Sequence, residues 1–272
     1  SEKSTIDARQ RTSISSTKRQ HTPLEDKIQS QVAANQFISK DTLYCVYDMQ
    51  VCPCSYDFFT FLYSAEICRV RRDFSKIRLL IIHSNDGLYR KDNLRTAEQN
   101  DTFFHNVIVP GISLLESCQV FTWCARDDVI WLNGIQQNQI FPRGYNTYKP
   151  TSEYVGHELV AAKIRGDRSS FLRAPKYSVS LAEKFKNSIK AKHYITLTLR
   201  EIGRDDESGS RRAKVDVWTR AFKSLVNSDI VPVVIRDTHS VFSDPVFENV
   251  LELDSASIHL PLRTAIYEGA LL

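Results

Sequence analysis

The chain has no run approaching the ~20 apolar residues of a membrane-spanning helix, and no apolar core of a secretion signal follows its start. A reducing cytoplasm is therefore the expected setting. None of its nine glycines falls into Gly-x-Gly-x-x-Gly or Gly-x-x-x-x-Gly-Lys-Ser/Thr. Both motifs bring backbone amides against a phosphate, so their absence argues against dinucleotide dehydrogenases and P-loop NTPases. Gly-x-Ser-x-Gly is also missing, which removes the elbow on which α/β-hydrolases carry their serine. Charge of one sign is lacking too. The 36 basic and 32 acidic residues leave a net charge of +4, too even for a dedicated DNA-binding face but compatible with a local cationic pocket for phosphate.

Six cysteines (Cys45, Cys52, Cys54, Cys68, Cys118 and Cys124) do not make a disulfide scaffold in 272 residues. Cys52-Pro-Cys54 is the one close pair, and neither a second pair nor a histidine stands at zinc-site spacing from it. Cysteine in apolar runs behaves as a small hydrophobe, and that is the role expected here. His83, His157, His239 and His259 show no ligand spacing among themselves, so no metal is expected.

What is present reads as an ordinary globular composition, 42% hydrophobic and 25% charged, long enough for two modest domains. Residues 1–40 are polar and short of large apolar side chains, so they read as a disordered extension. A short amphipathic helix over Leu24–Ile38 is the alternative. Residues 41–176 read as a first Rossmann-like domain with a crossover. Strands are expected at Thr42–Tyr47, Ile77–His83 and Val120–Cys124. Between the first two, Ser55 is expected to cap a helix to Arg69 whose buried stripe is Phe58, Phe61, Leu62, Ala65 and Cys68. Glu98–His105 and Ile108–Leu115 read as two short helices separated near Pro110. Phe141–Tyr177, rich in turn formers, reads as the crossover.

Residues 177–272 read as a second Rossmann-like unit. It opens on a capping box, Ser180-Leu-Ala-Glu183, and continues with a strand at 194–199. A helix over 213–227 carries a stripe of Ala213, Val217, Ala221, Phe222 and Leu225. Strands at Ile230–Ile235 and Val250–Leu253 precede a last helix from His259 to Leu272. Three strands, and a helix without a stop signal, make this second unit look incomplete at its C-terminal side. The expected class is α/β with two βαβ domains.

Ligands of α/β sheets bind beyond the carboxyl ends of the strands, which selects the site candidates. Arg200 follows directly on an apolar strand, and its planar guanidinium can hold a phosphate through two hydrogen bonds. Glu201, Arg204, Arg211 and Arg212 continue from it into the loop and the next helix start. Arg236 and Asp237 take the same place one strand later, the acid suited to accept from a sugar hydroxyl. In the first unit, Asp48 and Asp86 end the opening two strands and are candidate general bases toward an acceptor.

Tyr194-Ile-Thr-Leu-Thr-Leu-Arg200, a variable loop, a Trp218-bearing helix and Val231-Pro-Val-Val-Ile-Arg-Asp237 together resemble the nucleotide-sugar-binding half of GT-B glycosyltransferases. The likeness is nearest to the fucosyltransferase-like branch. The resemblance implies that Arg200 contacts donor phosphate and that Asp237 is the acid ending the next strand. It also implies that Leu262–Glu268 is the helix before a final donor loop, which would lie beyond Leu272. Thr198 stands where many members of that branch carry histidine. The implied activity is transfer of a sugar from a nucleotide-sugar co-substrate to a glycan or small acceptor, without a metal. A non-catalytic binding module and a sugar-phosphate or nucleotide-sugar epimerase are the alternatives.

Overall fold

The apolar, β-branched runs pair as two parallel sheets. The computed structural model describes residues 38–90, 96–167, 171–189, 192–199, 214–225, 228–238 and 240–271. In the first sheet, β1 (Thr42–Asp48), β2 (Lys76–Ile82), β3 (Cys118–Cys124) and β4 (Ile140–Phe141) lie in the order β3-β2-β1-β4. In the second, β5 (His193–Thr198), β6 (Ile230–Ile235) and β7 (Leu251–Glu252) lie in the order β5-β6-β7. The expected α/β class is what the chain adopts, in a form consistent with Rossmann-like winding. Both sheets fall within one compact unit, Ser39–Leu272. The polar extension expected over residues 1–40 lies almost wholly outside the described residues.

All seven residues of β1 are buried, because the strand is central in its sheet and covered on both faces. Over it lies α1 (Asp57–Arg71), whose Phe58, Phe61, Leu62, Ala65 and Cys68 are buried at the expected helical spacing. Tyr47 meets Phe58 and Phe61 edge-on, at ring separations of 4.9 and 5.0 Å. Ser55 stands one residue before the cap position, which Tyr56 occupies; the Asp57 amide still donates to the Ser55 hydroxyl, at 3.2 Å.

Several boundaries differ from the sequence reading, each for a local reason. The two helices expected around Pro110 are one helical run. It starts at α2 (Ala97–Phe103), widens to a π-turn at Phe104–Ile108, and continues through Val109–Gly111 and Ile112–Leu114. The wide turn lets the Val109 amide bond Phe104 O, so the run passes a proline that would break a regular helix. The expected crossover contains β4 and α3 (His157–Arg165), the latter bracketed by Gly156 and Gly166 at φ of 86° and 74°. These glycines start and stop a helix rather than mark a loop. The helix α4 (Lys176–Ser188) begins after Pro175, so Ser180 and Glu183 lie inside it and form no capping box.

In the second sheet α5 (Val215–Lys223) buries Phe222, while Val217 of the expected stripe is exposed and Ala213 lies outside the described residues. The last expected helix, His259–Leu272, is present, and a short helix precedes it: α6 (Asp254–Ile258), then α7 (Leu260–Gly269). The helix α7 ends at Gly269, where a Cβ would lie 2.5 Å from the Tyr194 hydroxyl oxygen. The chain then turns extended, and the Leu271 amide donates to Tyr194 O at 2.8 Å. No described helix is long and apolar enough to cross a membrane.

Gly111 lies close against both α1 and the start of α7. A Cβ there would lie 2.4 Å from the Phe59 ring and 2.9 Å from Leu260 Cδ2. Gly111→Ala is expected to lower stability by ~1–3 kcal/mol through this overpacking. Gly134→Ala, with nothing within 4 Å of the new methyl, should stay within about 0.5 kcal/mol of wild type. Urea unfolding of the two variants checks the difference.

Candidate functional site

The carboxyl edge of the first sheet is closed by a buried charge. Asp48, last residue of β1, is 0% exposed. Arg126, just beyond β3, grips it through two parallel bonds, Nη1 to Oδ2 at 2.7 Å and Nη2 to Oδ1 at 2.8 Å. The Tyr145 hydroxyl donates to Oδ2 at 2.7 Å, and the Gln50 amide to Oδ1 at 2.9 Å. Arg126 also donates to Asn85 Oδ1 after β2 and to Thr147 O after β4. Burial works against the charge on Arg126, and the Asp48 carboxylate more than offsets it, so its pKa is raised. Burial, then the neighbouring carboxylate, pushes the Tyr145 hydroxyl up as well.

This hub fills the space between β1 and β4, where the strand order reverses and where an open α/β sheet holds a ligand. Asp48 therefore holds four strand-end segments together. The sequence reading of it as a general base meets a carboxylate sealed from solvent and already accepting on both oxygens, whereas a base must reach the proton it removes. Asp86 is exposed, in a turn where its amide donates to Ser84 Oγ at 3.4 Å and Gly87 takes φ 143°.

At the edge of the second sheet the expected donor residues divide. Arg200, Glu201, Arg204 and Arg211, with Arg212, lie outside the described residues. Arg236 is turned inward, 3% exposed, with Nη1 donating to Ser243 O at 3.0 Å and Asp244 O at 2.9 Å and facing Glu252 at 3.4 Å. Its guanidinium staples the loop after β6 rather than facing an open anion site. Asp237 is partly buried, and its carbonyl accepts from the Ser240 amide at 2.9 Å.

Arg263, which sequence reasoning missed, joins the two edges. It stands in α7 at 5% exposure, with Nε donating to Ala256 O at 2.9 Å and Nη2 to Ser257 O. Ser257, in α6, is tied to the chain just past β6: its hydroxyl accepts from the Arg236 amide and its carbonyl from Thr238 Oγ1. The remaining arm, Nη1, reaches across to the Tyr56 hydroxyl at 2.9 Å. Tyr56 lies at the start of α1, eight residues past the end of β1. One helix turn after Arg263, Tyr267 shares a 2.7 Å hydrogen bond with Thr198, the last residue of β5. Burial raises the Tyr267 pKa, with the Thr198 contact and the Arg263 cation opposing.

The Arg263–Tyr56 and Tyr267–Thr198 bonds thus tie α7 to the start of α1 and to the carboxyl end of β5. Beside Tyr56 is Asp57, an exposed carboxylate accepting from Ser55 Oγ at 2.7 Å. In the sequence, Ser55-Tyr-Asp57 reads only as a helix start, and Arg263 only as part of a helix; no motif signals either. A separate depression of about 390 Å³ is lined by Glu66, Arg69, Arg71, Glu116 and Arg173. It lies by the end of α1 and the start of β3, at the amino edge, away from where such sheets hold ligands.

Four of the thiols are held against ionisation. Burial pushes Cys68 and Cys124 to about 11 and Cys118 to about 12, and raises Cys52 further. Among the described residues no group of His, Cys, Asp and Glu is placed to hold a metal ion.

Arg126→Met should cost about 3–5 kcal/mol, because it leaves Asp48 buried without its counter-charge. Asp48→Asn in the same chain should restore much of that loss in urea unfolding. His259 accepts from the Leu262 amide through Nδ1 at 3.2 Å, a cap that requires neutral imidazole. Burial lowers its pKa. Its contribution is therefore full above the ordinary histidine value of ~6.5 and is lost as pH falls through the depressed one. His259→Asn keeps an acceptor without titrating, and should flatten that part of the melting-temperature profile. Comparison with family models, curated proteins and solved structures found no match to this chain.

Proposed function

We propose that this protein is a glycosyltransferase of GT-B type, taking a nucleotide-sugar in the crevice between the two carboxyl edges. The observation that carries the reading is the Arg263–Tyr56 bond, which brings the edge of the second sheet against the start of α1. The donor diphosphate would lie on the second-sheet side, near the segment after β5 that begins with Arg200. Arginine there would stabilise the charge that develops on the leaving diphosphate. The acceptor would approach from the first-sheet side, past Tyr56 and Asp57.

A second reading, a non-catalytic nucleotide-binding module, is favoured by one observation. Asp48 and Arg236, the two strand-end charges best placed for chemistry, are both consumed by internal partners. Calorimetric titration with GDP-, UDP- and ADP-sugars tests the shared premise, and release of free nucleotide with acceptor present separates the readings. Arg200→Ala should weaken donor binding at least about tenfold, the loss expected for a charge-assisted phosphate contact. Unchanged affinity would remove Arg200 from the site. Failure of every nucleotide-sugar to bind would remove both readings.

A further inference from the structure

Tyr56 combines two properties that rarely occur together. Its hydroxyl is held by a buried guanidinium, yet 44% of the residue remains exposed. The ring is fixed from the side by Phe103, edge-on at 5.1 Å and 88°, and by Phe59 at 6.3 Å. Arg263 itself is immobilised by Ala256 O and Ser257 O. The phenol is thus anchored at its tip and packed against two rings while much of the residue stays exposed. Its ordering entropy is already lost before anything binds.

A fixed aromatic face attracts partially positive C–H groups through its ring quadrupole. The adjoining group is the Asp57 carboxylate, exposed and oriented by Ser55. A carboxylate at that point disfavours a phosphate and favours hydroxyl donors. An apolar platform beside a hydrogen-bond acceptor suits a neutral ring with one C–H face and peripheral hydroxyls. We propose that Tyr56 is the stacking platform for a hexopyranose ring of the acceptor, with Asp57 accepting from its hydroxyls. This placement rests on the glycosyltransferase reading, and it assigns the first-sheet side of the crevice to the acceptor sugar.

Saturation-transfer NMR with methyl β-D-glucopyranoside, methyl β-D-galactopyranoside and methyl α-D-mannopyranoside tests it, on wild type, Tyr56→Phe and Tyr56→Leu. Near-ultraviolet circular dichroism confirms that each variant is folded. Tyr56→Leu keeps an apolar filler against Phe103 without a π-face, and should weaken glycoside binding roughly five- to tenfold. Tyr56→Phe, which keeps the face, should stay within about twofold. Asp57→Asn should weaken binding and leave the ring's saturation pattern in place. Equal glycoside binding by wild type and Tyr56→Leu, or no binding of any of the three by wild type, overturns the proposal. A parallel titration with GDP and UDP separates the two ideas. Nucleotide binding without Tyr56-dependent glycoside binding sinks this inference alone; Tyr56-dependent glycoside binding without nucleotide binding keeps a sugar platform but overturns its assignment to a transferase acceptor.

Discussion

The buried pair of Asp48 and Arg126 is the constraint on which the first half of the molecule depends. A carboxylate with no exposure is tolerable only where its charge is matched and its lone pairs are filled, and here a guanidinium, a phenol and a backbone amide do both. Because these partners come from the segments after β1, β3 and β4, with Asn85 adding the segment after β2, one charge fixes how four loops lie over one edge. A buried ion pair need not outweigh an apolar core in stability; here four hydrogen bonds from one guanidinium tie the loops to each other.

The second half is held differently. Its core is two small clusters, one on each face of a three-stranded sheet, in place of the large aromatic cluster beneath α1. Charged side chains compensate by tying backbone directly: Arg236 to the loop at Ser243 and Asp244, and Arg263 to the end of α6. Arginine suits this work because a planar fork satisfies several carbonyls from one buried position. The same chemistry that would bind an anion here holds loops in place.

That ambiguity explains what could be read from the sequence. Apolar runs made β1, β2 and β6 legible, since Leu43–Tyr47, Leu79–Ile82 and Ile230–Ile235 have few places to go but a buried strand. Two-residue β4 carries no pattern, and Gly156 and Gly166 look the same at helix ends as in loops. A charge at a strand end was correctly located and wrongly turned. The sequence of Asp48 or Arg236 does not reveal whether a later loop folds over it. Arg263 shows the opposite case, because its importance comes from Tyr56, some two hundred residues away in the chain.

The bond from Leu271 to Tyr194 brings the chain back against β5 without forming a strand there. In the first sheet, the chain lays down three strands outward from β1, then steps back across to pair β4 on the other side of β1, beside Tyr44. In the second, it lays down β5, β6 and β7 outward, then returns past α7 to the far side of β5, beside Tyr194. The two carboxyl edges are therefore finished differently: the Asp48–Arg126 pair closes one, while Thr198 and Tyr267 share a hydrogen bond at the other.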